Sequence, residues 1–170
     1  MRHLVSASSP HFRQAEDGGS HAPIGLIRAE HEAILECFNR IGAEAQTEEE
    51  AVSLIQRLCD QFTLYLSLKE EVVLPALRNL PPEASLSTQI DEAVVEHFCL
   101  KILLETLDGQ GFDDELFHAK ISVLQRHFIR HVALEQRFLF PLISHAPLDL
   151  EFKMLEHKEK LRKEDRRDQY

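Results

Sequence analysis

Residues 121–143 read ISVLQRHFIRHVALEQRFLFPLI, and the parsing of this run decides the fold. Ile121, Leu124, Phe128, His131, Glu135, Phe138 and Leu142 recur at spacings of three and four, the period of one face of an α-helix. That face is apolar except at its centre, where a histidine is followed one turn later by a glutamate. A polar side chain on a buried stripe needs a partner, because an unpaired buried polar group costs a few kcal/mol. The partners are to be sought on other stripes of the same kind.

Three more stretches carry the pattern. The first helix opens near Pro23, a residue suited to a first turn, and lines up Ile24, Ile27, Ile34, Phe38 and Ile41, with His31 in the vacant step. Thr47 followed three residues later by Glu50 forms a capping box for the second, whose stripe is Ile55, Leu58, Phe62, Tyr65, Lys69, Val72 and Ala76, ending near Pro81 and Pro82. The third starts at Ser87 or Thr88, carries Ile90, Ala93, His97, Leu100, Leu104 and Leu107, and stops at Asp108-Gly109. Asp113 or Asp114 caps the fourth. Beyond Pro147 a shorter, highly charged helix presents Leu148, Phe152, Leu155 and Leu161, enough to lie against a bundle without joining its core.

Four helices of about 20 to 30 residues, each roughly 30 to 45 Å long and joined by short connections, predict an all-α, antiparallel up-down-up-down four-helix bundle. The expected organisation is a flexible arm over residues 1–22, the bundle over 23–146, and a charged C-terminal helix and tail over 147–170. Ser8, Ser9, Pro10, Gly18, Gly19 and Ser20 give the arm no apolar period, and its His3, His11 and His21 read as solvated.

The second and fourth helices repeat one another. An offset of 66 residues puts Phe62 on Phe128, Leu68 on Leu134 and Pro75 on Pro141. An interior proline deletes a helical hydrogen bond and kinks the helix, so two at one register position mark a shared local structure. In this register Tyr65 matches His131, and Lys69 matches Glu135.

With these residues in place, the chain resembles the hemerythrin-like, or HHE cation-binding, family of four-helix bundles over about residues 24–145. The resemblance is carried by LIRAEHEAI in the first helix, IDEAVVEHFCLKILL in the third and HVALEQRFLFPLI in the fourth. In the second, LYLSLKEEVVLPAL keeps the Glu-Glu pair and the terminal Leu-Pro. The family usually holds two iron ions with histidines from all four helices and bridging glutamates from the second and fourth. Position by position, the resemblance implies His31, His97, His131 and Glu135 as ligands, and Tyr65 and Lys69 where a histidine and a bridging glutamate normally stand.

That departure has chemical consequences. An ammonium has no lone pair and repels a nearby cation, so Lys69 argues against two irons. It can instead take the place of one metal and pair with Glu135. A tyrosine can ligate ferric iron as phenolate, which keeps a ligand role open for Tyr65. His127, one turn before His131, can add an imidazole to give His97, His127, His131 and Glu135 around one ion. The alternative is a metal-free core in which Tyr65, Lys69 and Glu135 hydrogen-bond to the imidazoles.

Composition narrows the function classes. A formal net charge of -10 among 170 residues argues against nucleic acid as partner, and the single basic cluster, Lys158 to Arg167, alternates with acids. No run approaches membrane-spanning length, and the first residues lack the apolar core of a secretory signal. Three cysteines, Cys37, Cys59 and Cys99, lie in apolar runs and read as reduced thiols, so a soluble, cytoplasmic protein is expected. Glu115-x-x-His118 is half of a ferritin-like motif without its counterpart, and neither a Gly-rich phosphate loop nor a Ser/His/Asp arrangement is present.

The expected function is metal binding, by iron, at an altered or mononuclear site, with a role in binding O2 or NO, redox sensing or iron handling. A protein partner or a homo-oligomer is compatible with it. The competing expectation is a metal-free interaction or regulatory module. A redox enzyme built on an activated tyrosine is a third.

Overall fold

The computed structural model describes residues 22–44, 47–81, 84–107, 115–147 and 149–168. Helix α1 is Ala22–Glu44. Helix α2 is Glu48–Leu68, continued by a π-helical turn, Lys69–Val73, and a last stretch, Leu74–Arg78. Helix α3 is Ala84–Glu105, so it begins about a turn earlier than Ser87 or Thr88. Helix α4 is Phe117–Leu134, continued by a second π turn, Glu135–Leu139, and by Phe140–Ile143. Helix α5 is Leu150–Asp168. No strand occurs among the described residues, and no described helix is long and apolar enough to cross a membrane.

Local chemistry accounts for the best-defined start. Thr47 accepts from the Glu50 backbone N–H at 3.2 Å, and the Glu50 carboxylate accepts from the Thr47 N–H at 3.1 Å, the expected capping box. The fourth helix differs. Its N-cap is Leu116, whose side chain makes no capping hydrogen bond, while Asp113 and Asp114, like Asp108 and Gly109, lie outside the described residues.

Helix α1 packs on α2, α2 on α3 and α3 on α4, α1 closes the ring against α4, and α5 lies against α1 and α2. At the centre, residues of α2 meet their repeat mates on α4. Phe62 meets Phe128 at 5.0 Å between ring centroids, Tyr65 bonds His131, and Lys69 pairs with Glu135. Every pair differs by the same 66 residues. Antiparallel helices would pair residues of constant sum, so the constant difference means that α2 and α4 run parallel across the diagonal, as the up-down-up-down order requires.

The stripes hold as far as this level and then shift. Leu58, Phe62, Tyr65 and Lys69 are buried, but the face continues through Val73, Leu74 and Leu77, with Val72 and Ala76 only partly covered. On α4 it passes from Glu135 to Leu139, Phe140 and Ile143 rather than to Phe138 and Leu142. The cause is the π turn. Leu74 N–H bonds the Lys69 carbonyl and Phe140 N–H the Glu135 carbonyl, five residues back, which inserts one residue into the period. A proline, Pro75 or Pro141, stands two residues past the end of each, and the wider turn gives its ring room beside the carbonyl it would otherwise meet.

Helix α5 corrects a second expectation. Leu150 and Met154 are fully buried and belong to the core, whereas Phe152 and Leu155 are exposed and Leu148 lies outside the described residues. Ser67 bonds His157 at 2.8 Å, and Lys158 pairs with the buried Glu30 of α1, so charged groups as well as apolar ones seat this helix.

Candidate metal centre

The three levels at the bundle axis grade from aromatic to ionic. Phe62 stands edge-on to both Phe38 and Phe128, and the three rings wall off one end. Next come Tyr65 and His131, with His31 from α1 and His97 from α3 on either side, and then Lys69 and Glu135 at the first position of each π turn. All six polar residues are buried, none more than 3% exposed.

Glu135 is the hub. One carboxylate oxygen, Oε2, accepts from the Tyr65 hydroxyl at 2.8 Å and lies 2.9 Å from His31 Nε2. The other, Oε1, meets the Lys69 ammonium at 2.7 Å, a close ion pair rather than an aligned hydrogen bond, with His131 Nε2 at 3.6 Å. His131 Nε2 lies 2.8 Å from the Tyr65 oxygen, which can accept its proton while donating to Glu135.

Electrostatics follow from this packing. Burial alone would raise the Glu135 carboxyl, but the Lys69 ammonium, the His31 hydrogen bond and His131 hold it well below its usual 4.5. Burial pushes His97 down to about 3, helped by His131 and Lys69. Burial likewise takes His131 down to about 4, Lys69 adding to the shift and Glu135 opposing it. Both imidazoles are neutral at pH 7 and keep a lone pair for a metal. Tyr65 is raised well above 10 by burial, by the charge of Glu135 and by its hydrogen bond, so it stays a phenol and a donor.

Among the described residues, the group that could hold a metal ion is His97, His131 and Glu135, whose ligating atoms all lie within 4.8 Å of one another. His97 is the informative member. Its ring is fully buried, yet among the described residues neither nitrogen has a hydrogen-bond partner. A three-donor site with this orphaned imidazole fits one cation. It does not fit two, because the Lys69 ammonium stands against the carboxylate that would have to bridge them.

The remaining residues named from sequence are placed elsewhere. His31 touches Glu135 through Nε2 and leaves Nδ1 without a partner, outside the three-residue group. Tyr65 lies beside the group through its hydroxyl. His127 lies outside the three-residue group, with Nε2 3.1 Å from Glu96, which Arg130 also faces, and its side chain is 22% exposed. One helical turn and about 40° of rotation separate it from His131, enough to carry it over the edge of the stripe.

Two charged residues were missed. Glu96 offers no periodic signal, being one step from His97. Glu70 is one helical step off the stripe at Lys69, within the π turn, and faces α3, where it contacts His97 and Lys101.

A search of curated proteins and of solved structures returns no match. The family model of the hemerythrin HHE cation binding domain matches residues 22–147, most of the chain and all four bundle helices. The chain belongs to the hemerythrin HHE cation-binding domain family.

Proposed function

We propose that this protein is a non-haem, single-metal member of its family, in which His97, His131 and Glu135 hold one iron ion and Lys69 stands in electrostatically for a second. The observation that carries this reading is the buried His97 imidazole, without a hydrogen bond at either nitrogen among the described residues and within ligand range of His131 and Glu135. Two imidazoles and one carboxylate on an ion with open positions are a donor set suited to ferrous iron. Such an ion supplies a place to bind a small diatomic ligand, O2 or NO, for sensing or iron handling.

The chain's own residues support the role. A cleft of about 580 Å³ between α3 and α4 has His131 and Glu135 in its lining, beside Ala93, Leu134 and Leu139, and gives a small ligand a path inward. Tyr65 presents a hydroxyl proton next to the donors, and the phenyl rings of Phe62 and Phe128 exclude water from one end. The three cysteines are not joined in disulfides, which agrees with a reducing, cytoplasmic setting.

Elemental analysis of protein purified without chelator tests the proposal: close to one metal per chain is expected, and close to zero refutes it. Lys69→Glu should raise the count toward two. An unchanged count would mean that the ammonium does not keep the second ion out.

A second reading has its own observation. Glu135, Tyr65, His31, His131 and Lys69 already form a connected hydrogen-bond and ion-pair network, which a metal-free regulatory or interaction module would need to keep its polar core satisfied. Near-zero metal content together with an intact fold would favour it.

A further inference from the structure

We propose that Glu70 is the positioning residue for His97, fixing the ring proton on Nδ1 and leaving Nε2 as the donor nitrogen. This deepens the single-metal reading and rests on His97 being a ligand.

The contact lies at the π turn. Lys69, its first residue, points into the core and is fully buried, while Glu70 is carried around to α3. There Oε1 lies 3.4 Å from His97 Nδ1, and Oε2 accepts from the Lys101 ammonium at 2.6 Å. Lys101 is four residues from His97 on the same helix, so it holds the carboxylate alongside the ring one turn away. A carboxylate attracts an N–H and repels a nitrogen lone pair, so the nitrogen facing it carries the proton. The 3.4 Å separation is longer than an aligned hydrogen bond and closes with a small movement of either side chain.

Among the described residues, nothing else sets this ring. Neither nitrogen of His97 has a hydrogen-bond partner, and the side chain is fully buried, so solvent does not choose its tautomer. His131, by contrast, has Tyr65 at Nε2. A metal-bound imidazole is ordinarily oriented by a carboxylate or carbonyl behind it. Glu70 provides that carboxylate one position beyond Lys69, where the resemblance expected a bridging glutamate.

The first test needs no metal. In chelator-treated full-length protein, two-bond proton–nitrogen NMR should show His97 protonated on Nδ1, and Glu70→Leu should move the proton to Nε2. Glu70→Gln, whose amide oxygen still accepts, should keep the Nδ1 proton. The second test uses Zn(II) alone, in competition with a chromophoric chelator: one equivalent for the native chain, with affinity lowered about 10–100-fold in Glu70→Leu and less in Glu70→Gln. A bare Nδ1 in the native chain, or a tautomer indifferent to Glu70→Leu, overturns the proposal. So does undiminished Zn(II) affinity in that variant. If the native chain takes up no Zn(II) while the tautomer still follows residue 70, the hold of Glu70 on the ring stands and the ligand role of His97 fails.

Discussion

Helices α2 and α4 have the same shape and opposite chemistry. Both place an aromatic ring, then a hydrogen-bonding side chain, then a charged residue at the bundle axis, and both widen into a π turn just before a proline. At the second level one offers a phenol and the other an imidazole; at the third, an ammonium faces a carboxylate. The backbone device is therefore independent of what it presents. Two carboxylates at the third level would repel unless cations lay between them, whereas Lys69 and Glu135 neutralise each other directly. The comparison teaches that the fold's need for charge balance at its centre can be met by a protein cation.

The strongest way to break the comparison is to remove one member of the ionic level. A buried pair that loses a partner leaves an uncompensated charge, so Lys69→Met or Glu135→Gln should each cost about 3–5 kcal/mol in urea unfolding. The double change Lys69→Met with Glu135→Met should recover most of that loss, because two apolar side chains of similar volume leave no charge behind. Single losses below about 1 kcal/mol would mean that the charges are not desolvated as their burial implies.

Acid titration probes the second level. The ordinary imidazole value is 6.5, whereas in the fold His131 takes its proton only near 4 and His97 near 3. Between those limits the unfolded chain binds more protons than the folded one, so stability is full above pH 6.5 and falls as the pH drops. Two such groups give a slope of up to ~2.7 kcal/mol per pH unit. Glu135, depressed below 4.5, adds its own loss only at still lower pH, where carboxylates of the unfolded chain protonate first. In chelator-treated protein, His131→Phe should roughly halve the slope between pH 6 and 5. Tyr65→Phe, its mate on α2, should leave it unchanged, because the phenol keeps its proton throughout. Equal slopes in the native chain and His131→Phe would contradict the buried, neutral imidazole.

How far the sequence reached can be read residue by residue. The buried positions of α1, α2 as far as Lys69, α3, and α4 as far as Glu135 follow the 3.6-residue period, so Ile27, Phe62, Leu100 and Phe128 were legible from spacing alone. Past the two π turns the period gains one residue, and Val73 and Leu139 take the places expected of Val72 and Phe138. Pro75 and Pro141 announced a distortion there, but a proline alone does not say whether the helix bends or widens. The pairing of Lys69 with Glu135 was legible from charge and register together. The position of Glu70 beside His97 was not, since Glu70 is one step off the buried stripe and periodicity does not say which neighbouring helix its rim meets. The contact of His127 with Glu96 was not legible either, because a residue on the rim of a stripe goes to whichever side offers a partner, and Glu96 lies on another helix.

The smallest expected effect concerns how the two parallel helices begin. Helix α2 satisfies two orphan N–H groups through Thr47 and Glu50, while α4 starts behind Leu116 with no side-chain cap. Thr47→Ala should therefore cost about 1 kcal/mol, by loss of both reciprocal hydrogen bonds. The exposed Leu116 can be changed to Ser without opening the core, and a serine there should gain about 0.5–1 kcal/mol if its hydroxyl reaches the second or third N–H of the helix. The two substitutions lie on different helices, so their effects should add, within about 0.5 kcal/mol, when combined. Urea midpoints of the three variants decide this. A Thr47→Ala variant as stable as the native chain would show that the rest of α2, through its packing at the axis, fixes its first turn without the cap.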